Sequence, residues 1–318
     1  MRILLQFPEG LKKEALAYAQ KYENEGHEVL LSGASCYGAC DLAIEEAMAV
    51  DADKIIHFGH APFIKKKLLI EVEYVEWHID VDLDKFEKAI KELKFDKIAL
   101  ATTVQHIHQL NEMKKILESH GKKVFVSKGP LAAYPGQVLG CDAGAISSVV
   151  KNSDAVVFVG EGHFHPLAID AVPRRQDVAE GHAIDIDPDK PVFIIHPKSG
   201  QIRKINDEIE KLRKRRKGAI LKAAYAKTFG IIVSTKPGQF TLPVAEKIKK
   251  ELTLLGKRSE IIVSNELSPL ALNNFISFDC YIVTACPRIA DDTEAFGKPV
   301  LNLKMYSDLV SILRETKA

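Results

Sequence analysis

The side chains best suited to chemistry in this 318-residue chain are its five cysteines. Cys40 lies in Tyr37-Gly38-Ala39-Cys40-Asp41, and Cys141 lies in Val138-Leu139-Gly140-Cys141-Asp142. Each has a small residue before it and an aspartate after it. Each leads into a helical apolar pattern, Leu42-Ala43-Ile44 in one case and Ala143-Gly144-Ala145-Ile146 in the other. Unpaired N–H groups at a helix N-terminus lower a thiol pKa, so this placement favours thiolate. Cys286 comes from a different point, in Thr284-Ala285-Cys286-Pro287-Arg288. Three thiolates fall short of a tetrahedral structural zinc site. They fit a [4Fe–4S] cluster that keeps one iron open for a ligand or substrate. The competing reading is three unrelated cysteines packed as small hydrophobes. Spacing alone leaves the two readings level, and the Gly and Asp neighbours tilt the balance towards a site.

Cys36 and Cys280 stand apart from this set. Cys36 and Cys40 match the first half of C-x-x-x-C-x-x-C, the cluster loop common among radical S-adenosylmethionine enzymes, but Ala43 occupies the third position. That loop is therefore absent, and Cys36 is read as a bystander. So is Cys280, within the apolar stretch Phe278-Asp279-Cys280-Tyr281. Polar groups also gather near expected strand ends: His57-Phe58-Gly59-His60, Gln105-His106-Ile107-His108, Gly160-Glu161-Gly162-His163-Phe164-His165 and Lys236-Pro237-Gly238-Gln239. Histidines there could bind a carboxylate or move protons, or simply cap helices and satisfy loop carbonyls. No glycine-rich dinucleotide fingerprint and no P-loop is present.

These residues need elements to position them, and the chain repeats one set of elements. Arg2–Phe7, Lys97–Thr102 and Phe229–Ser234 are short runs rich in apolar side chains, as strands buried on both faces should be. A helical pattern follows each run, with apolar residues three and four apart, as in Val244, Ile248, Leu252 and Leu255. Each pattern ends near a glycine, Gly26, Gly121 or Gly256, the usual C-terminal punctuation of a helix. A second strand and a further apolar run complete each unit. The result is α/β: three similar parallel-sheet lobes, an internal triplication around a central iron–sulfur site. The expected boundaries are 1–92 with Cys40, 93–170 with Cys141, a proline-rich and basic helical connector at 171–224, and 225–318 with Cys286. Ligands of open parallel sheets bind beyond the carboxyl ends of the strands, where all three cysteines are expected.

Composition bounds the function. With 46% hydrophobic and 27% charged residues, the chain is neither disordered nor short of core. A net charge of +1 argues against a general nucleic-acid coat, so no direct nucleic-acid partner is expected. The basic run Lys211 to Lys217 reads first as a solvated helix face and second as a dock for an acidic partner or RNA. No apolar stretch is long enough to span a bilayer, and the N-terminus enters a strand-like run directly. A cytoplasmic setting with reduced thiols, and no membrane partner, is expected.

Taken together, the ordered segments resemble the archaeal diphthamide synthesis enzymes, the 2-(3-amino-3-carboxypropyl)histidine synthases. The resemblance rests on Gln6-Phe7-Pro8-Glu9-Gly10-Leu11, Tyr37-Gly38-Ala39-Cys40-Asp41, His57-x-Gly59-His60, Gln105-His106-Ile107-His108, Pro135-Gly136-Gln137-Val138-Leu139-Gly140-Cys141, Phe164-His165-Pro166-Leu167, Gly238-Gln239 and Ala285-Cys286-Pro287-Arg288. It implies a homodimer in which each of three lobes gives one ligand, Cys40, Cys141 and Cys286, to a [4Fe–4S] cluster. It also implies a radical S-adenosylmethionine enzyme outside the common type. Such an enzyme cleaves the bond from sulfur to the methionine Cγ and adds the 3-amino-3-carboxypropyl group to C2 of a histidine on elongation factor 2. The reducing electron comes from a donor of unknown identity. Strand-end position makes Gln239, Gly160, Gly162 and His165 the candidates for contact with S-adenosylmethionine. A quinolinate-synthase-like enzyme shares the plan of three lobes, three cysteines and an open iron. A non-catalytic metal-binding module is the rival of a different class.

Overall fold

The computed structural model describes residues 1–65, 67–170 and 190–315, which form three sheets with helices between the strands. The first sheet contains β1 (Arg2–Gln6), β2 (Glu28–Leu31), β3 (Lys54–Phe58) and β4 (Glu71–Val75), in the order β2-β1-β3-β4. The second contains β5 (Lys97–Thr102), β6 (Lys123–Phe125), β7 (Ala155–Val159), β8 (Val192–Ile195) and β9 (Ile202–Lys204), in the order β6-β5-β7-β8-β9. The third contains β10 (Thr228–Ser234), β11 (Arg258–Ser264), β12 (Cys280–Val283) and β13 (Val300–Leu301), in the order β11-β10-β12-β13. Every pair is parallel except β8 with β9. The same order, second strand, first, third, fourth, recurs in all three sheets.

Alternation along the central strands explains why both faces are covered. On β1 and β3, Leu4 and Ile55 pack with Leu42 and Ala47 on one face. Ile3, Leu5, Ile56 and Phe58 pack with Ala19 on the other. β7 is buried along its whole length, as a two-sided parallel strand should be.

One structural signature repeats almost atom for atom. The helices Ala15–Asn24, Leu110–Ser119 and Leu242–Leu254 each follow the first strand of their sheet. Beyond them, Gly26, Gly121 and Gly256 take φ of 86°, 75° and 71°. The glycine N–H bonds back to Glu23, Glu118 or Thr253, and the next N–H bonds to Tyr22, Leu117 or Leu252. This pair of bonds is the Schellman termination, which needs a left-handed residue and so favours glycine.

The stretch expected as a connector does more than connect. Its residues 171–189, including Pro173, lie outside the described residues. Beyond them, β8 pairs with β7 in register and β9 closes the edge of the second sheet. The basic helix Asn206–Ala224 then bridges two cores: Ile205 and Ile209 join the second, while Ala219, Ile220 and Ala223 join the third. Lys211, Lys214, Arg215 and Lys217 are exposed, as the solvated-face reading expects, whereas Arg216 points inward and pairs with Asp291. The helix Leu83–Ile90 also departs from the expected boundary: Phe86, Ala89 and Ile90 pack against Ile98, Leu100 and Met113 of the second core. The apolar period marks a helix as amphipathic without saying which sheet receives it. No described helix is long and apolar enough to cross a membrane.

Candidate metal centre

None of the five cysteines forms a disulfide, and they fall into two classes. Cys36 and Cys280 are buried, while Cys40, Cys141 and Cys286 are partly exposed. Burial pushes the Cys36 thiol up to about 12, with the Asp41 carboxylate adding to the shift. Burial likewise pushes Cys280 up, assisted by Asp279. Both stay protonated at neutral pH, whereas metal binding needs thiolate.

Each open cysteine sits on a loop beyond the carboxyl end of a strand, and for Cys40 and Cys141 the aspartate that follows pins that loop. Asp142 is fully buried and accepts bonds from Leu131 N–H at 2.8 Å and Gly144 N–H at 2.7 Å. Asp41 accepts from Tyr37 N–H at 3.2 Å and pairs with Lys236 Nζ at 2.7 Å. This corrects the expected role of the helix termini. The helices Ile44–Ala49 and Gly144–Ser147 begin three or four residues after their cysteines and are short. A helix dipole acts over its terminal turn, so the aspartate-held loops carry the positioning instead. Cys286 needs no such aspartate, because Pro287 opens the 3-10 turn Pro287–Asp291 directly after it.

Contacts across the three sheets bring these loops together. Gly238 N–H donates to Cys40 carbonyl at 3.1 Å, and Gln239 Nε2 donates to Cys40 Sγ at 3.3 Å. A Cβ on Gly238 would lie 2.5 Å from Cys40 Cα, so only glycine permits this approach. Gln105 Nε2 donates to Gly59 carbonyl at 3.0 Å, joining the first and second sheets. Phe164 fills the space beside Gly140, next to Cys141, and the Arg288 guanidinium stacks on the Phe164 ring at 4.9 Å, two residues beyond Cys286. An ion cluster with a buried Lys236–Asp41 pair at its centre reinforces the first-to-third junction. Lys236 pairs with Asp41 at 2.7 Å and with Glu266 at 3.2 Å, while its Nζ lies 4.8 Å from the Tyr37 ring centre. Burial opposes the Lys236 charge, but the two carboxylates outweigh it and hold the ammonium above its ordinary value. Beside this cluster, a cavity of about 420 Å³ opens between the two sheets, lined by Gln6, Ala43, Met48, Lys236 and Phe240.

Gln6 was missed as a positioning residue. It ends β1 with almost no exposure, its Nε2 donates to Asp41 carbonyl at 2.7 Å, and its Oε1 accepts from Ala43 N–H at 3.1 Å. Those two bonds fix the amide orientation, so His57 Nδ1–H donates to the same Oε1 at 2.9 Å. His57 Nε2 is then the acceptor for His60 Nδ1–H at 2.9 Å. The detectable signal was a polar residue closing an apolar strand. Burial lowers His57 to about 3, with His60 contributing, and burial lowers His60 to about 4. Both are neutral. Cys36 Sγ and ring nitrogens of His57 and His60 lie within 4.8 Å of one another. The histidines satisfy each other and Gln6, and the thiol beside them is protonated, so the trio belongs to the packed core.

The other expected site residues are placed as follows. Gln239 is buried beside Cys40. His165 packs between Phe158 and Phe164, and burial, then His60 and Arg288, lower it to about 4. Gly160 makes room for the Phe158 ring, and Gly162 turns the chain at φ 69°. His106 Nδ1 donates to Ile79 carbonyl at 2.7 Å, which is loop satisfaction rather than chemistry.

A donor set of three open thiols, no disulfide among the described cysteines, and a buried cation beside one of them suit an anionic metal–thiolate group. Comparison with known proteins agrees. The family model described as "Putative diphthamide synthesis protein" matches residues 7–306. The chain is 38% identical to the 2-(3-amino-3-carboxypropyl)histidine synthase of Pyrococcus horikoshii, over 99% of this chain and 87% of that protein. It is 32% identical to the protein of the same name from Methanocaldococcus jannaschii, over 94% of this chain and 81% of that one. Its fold is similar to the crystal structure of Dph2 from Pyrococcus horikoshii with a 4Fe-4S cluster: the TM-score is 0.84 at 36% identity, covering 98% of this chain and 86% of that one.

Proposed function

Because this chain belongs to the diphthamide synthesis protein family, we propose that it transfers the 3-amino-3-carboxypropyl group of S-adenosylmethionine to C2 of a histidine on elongation factor 2. The observation that carries this reading is the division of the cysteines. The three that remain partly exposed sit on strand-end loops of three different sheets, one to a sheet. Cys40, Cys141 and Cys286 would hold a [4Fe–4S] cluster and leave one iron free. When bound, that cluster supplies the electron that splits the sulfur–Cγ bond and releases methylthioadenosine.

The remaining tasks belong to the protein. Gln239 Nε2, donating to Cys40 Sγ, withdraws charge from that ligand and fixes its direction. The Lys236–Asp41 pair holds the Cys40 loop against the third sheet. Gln239 and His165, with the Gly160 and Gly162 turn, shape the space for S-adenosylmethionine, and neutral His165 adds no charge there. The recurring strand order supports an origin of the fold by triplication, with the site where the three units meet. The same reading makes the protein a cytoplasmic homodimer, which sedimentation in solution checks.

The test incubates anaerobic, reduced, cluster-loaded protein with S-adenosylmethionine and archaeal elongation factor 2. Methylthioadenosine and a histidine peptide heavier by one 3-amino-3-carboxypropyl group are the expected products. Intact S-adenosylmethionine after reduction of a fully loaded protein would overturn the reading.

A further inference from the structure

The basic helix Asn206–Ala224 buries its inward face against two cores, and its outward face has no such role in the fold. Between Lys211 and Lys227 the chain carries eight basic residues and no acidic one, within a protein whose net charge is +1. Lys211, Lys214, Arg215, Lys217, Lys222 and Tyr225 are all exposed. The helical period puts them on the side away from the cores, over about 20 Å of helix. Glu210 tempers the charge at one end, pairing with Lys214 at 2.6 Å. Gly218 sits at the centre of this side. Its backbone is helical, not left-handed, and a Cβ there would meet nothing within 4 Å. Glycine in a helix interior is less stable than alanine, so neither backbone geometry nor packing accounts for it. One turn away on either side lie Lys214, Arg215, Leu221 and Lys222. The missing side chain leaves bare backbone ringed by three cations, open to the close approach of an anionic chain.

The strip ends at a groove of about 710 Å³ lined by Leu221, Tyr225, Lys227, Leu255, Arg258 and Ile312, with no carboxylate among its described lining residues. Tyr225 stands at its edge, 88% exposed. Tyr225 precedes β10 and Arg258 opens β11, so the groove lies at the amino ends of the third sheet, away from the carboxyl-end cysteine loops. A row of cations leading to an exposed ring suits a single strand of nucleic acid, with phosphates on the cations and a base on the ring. An acidic peptide would use the cations alone, and the bare aromatic face favours a base. We propose that the outer face of this helix, from Lys211 to Tyr225, binds single-stranded RNA. The near-neutral composition conceals the surface, because the basic excess is gathered on one face. The site is separate from the cysteine loops and does not depend on their chemistry.

The test titrates a fluorescently labelled, unstructured RNA with the full chain and follows anisotropy at several salt concentrations. Neutralising about three or four phosphates gives a log–log salt slope of about −2 to −3. Lys217→Glu combined with Lys222→Glu should weaken binding about tenfold or more and flatten the slope by about 1.4. Tyr225→Ala should weaken binding about tenfold with the slope unchanged. Gly218→Ala should raise the unfolding temperature yet weaken RNA about threefold, a combination that misfolding does not produce. No binding at low salt, or binding unchanged in the charge-reversed protein or in Tyr225→Ala, overturns the proposal. Tighter binding of single-stranded DNA than of RNA overturns RNA as the occupant. Displacement of the RNA by polyglutamate as effectively as by unlabelled RNA assigns the face to an acidic polypeptide and overturns it as well.

Discussion

The first and third sheets are built alike and armed differently. They share strand order and the same glycine termination after the first helix. In the first, the loop after the second strand carries Cys40. In the third, the equivalent loop after β11 carries Glu266, which binds Lys236, and the cysteine comes instead after β12. A repeated scaffold therefore does not deliver its chemistry from a repeated position. What docks the Cys40 loop against the third sheet is the Lys236–Asp41 pair and the close approach of Gly238 to Cys40.

The strongest test of this contrast removes the cysteines one at a time. Cys40→Ala, Cys141→Ala and Cys286→Ala should each abolish the cluster's visible absorbance and methylthioadenosine formation. Cys36→Ala and Cys280→Ala should keep both, because those thiols are buried and protonated. An iron-replete Cys141→Ala protein would break the three-loop reading.

A smaller effect is expected from the seal between the sheets. Lys236→Met leaves Asp41 buried without its cation and should cost about 3–5 kcal/mol in denaturant unfolding. Lys249→Met, which breaks an exposed pair with Glu260, should cost less than about 1 kcal/mol. Similar losses in both variants would mean that the buried pair is not a seal.

A third test is acid. His57, His60 and His165 are all lowered from 6.5, to about 3, 4 and 4. The unfolded chain takes up these protons first, so stability is fully present above about pH 6.5 and is lost as pH falls towards about 4. The loss is on the order of 1 kcal/mol per histidine per pH unit. Because no histidine follows His196, hydrogen exchange at pH 5 should open the first sheet while the third keeps its protection. Equal loss in both sheets would place the acid sensitivity elsewhere.

Much of this was readable beforehand. The apolar runs and the three glycines anticipated nearly every central strand and helix end, since both depend on local burial period and backbone freedom. Cys36 and Cys280 separated from the other three on neighbours alone. Less readable were β9, three residues long at a sheet edge, and the allegiance of helix Leu83–Ile90. Gln6 stood out locally as a polar residue closing an apolar strand, but its neighbours in sequence did not reveal that it clasps the Cys40 loop, and nothing local marked the burial of Arg288.

The sequence by itself determined the repeated units, their order of elements and the set of thiols available for a cluster. Those follow from periods of two and of three to four, and from residue chemistry, which act over a few positions. Only the tertiary structure decided which thiols stay open, and that Asp291, 75 residues along the chain from Arg216, is shared between that arginine and Arg288. Such partnerships are set by how loops of separate sheets meet, and no local period encodes them.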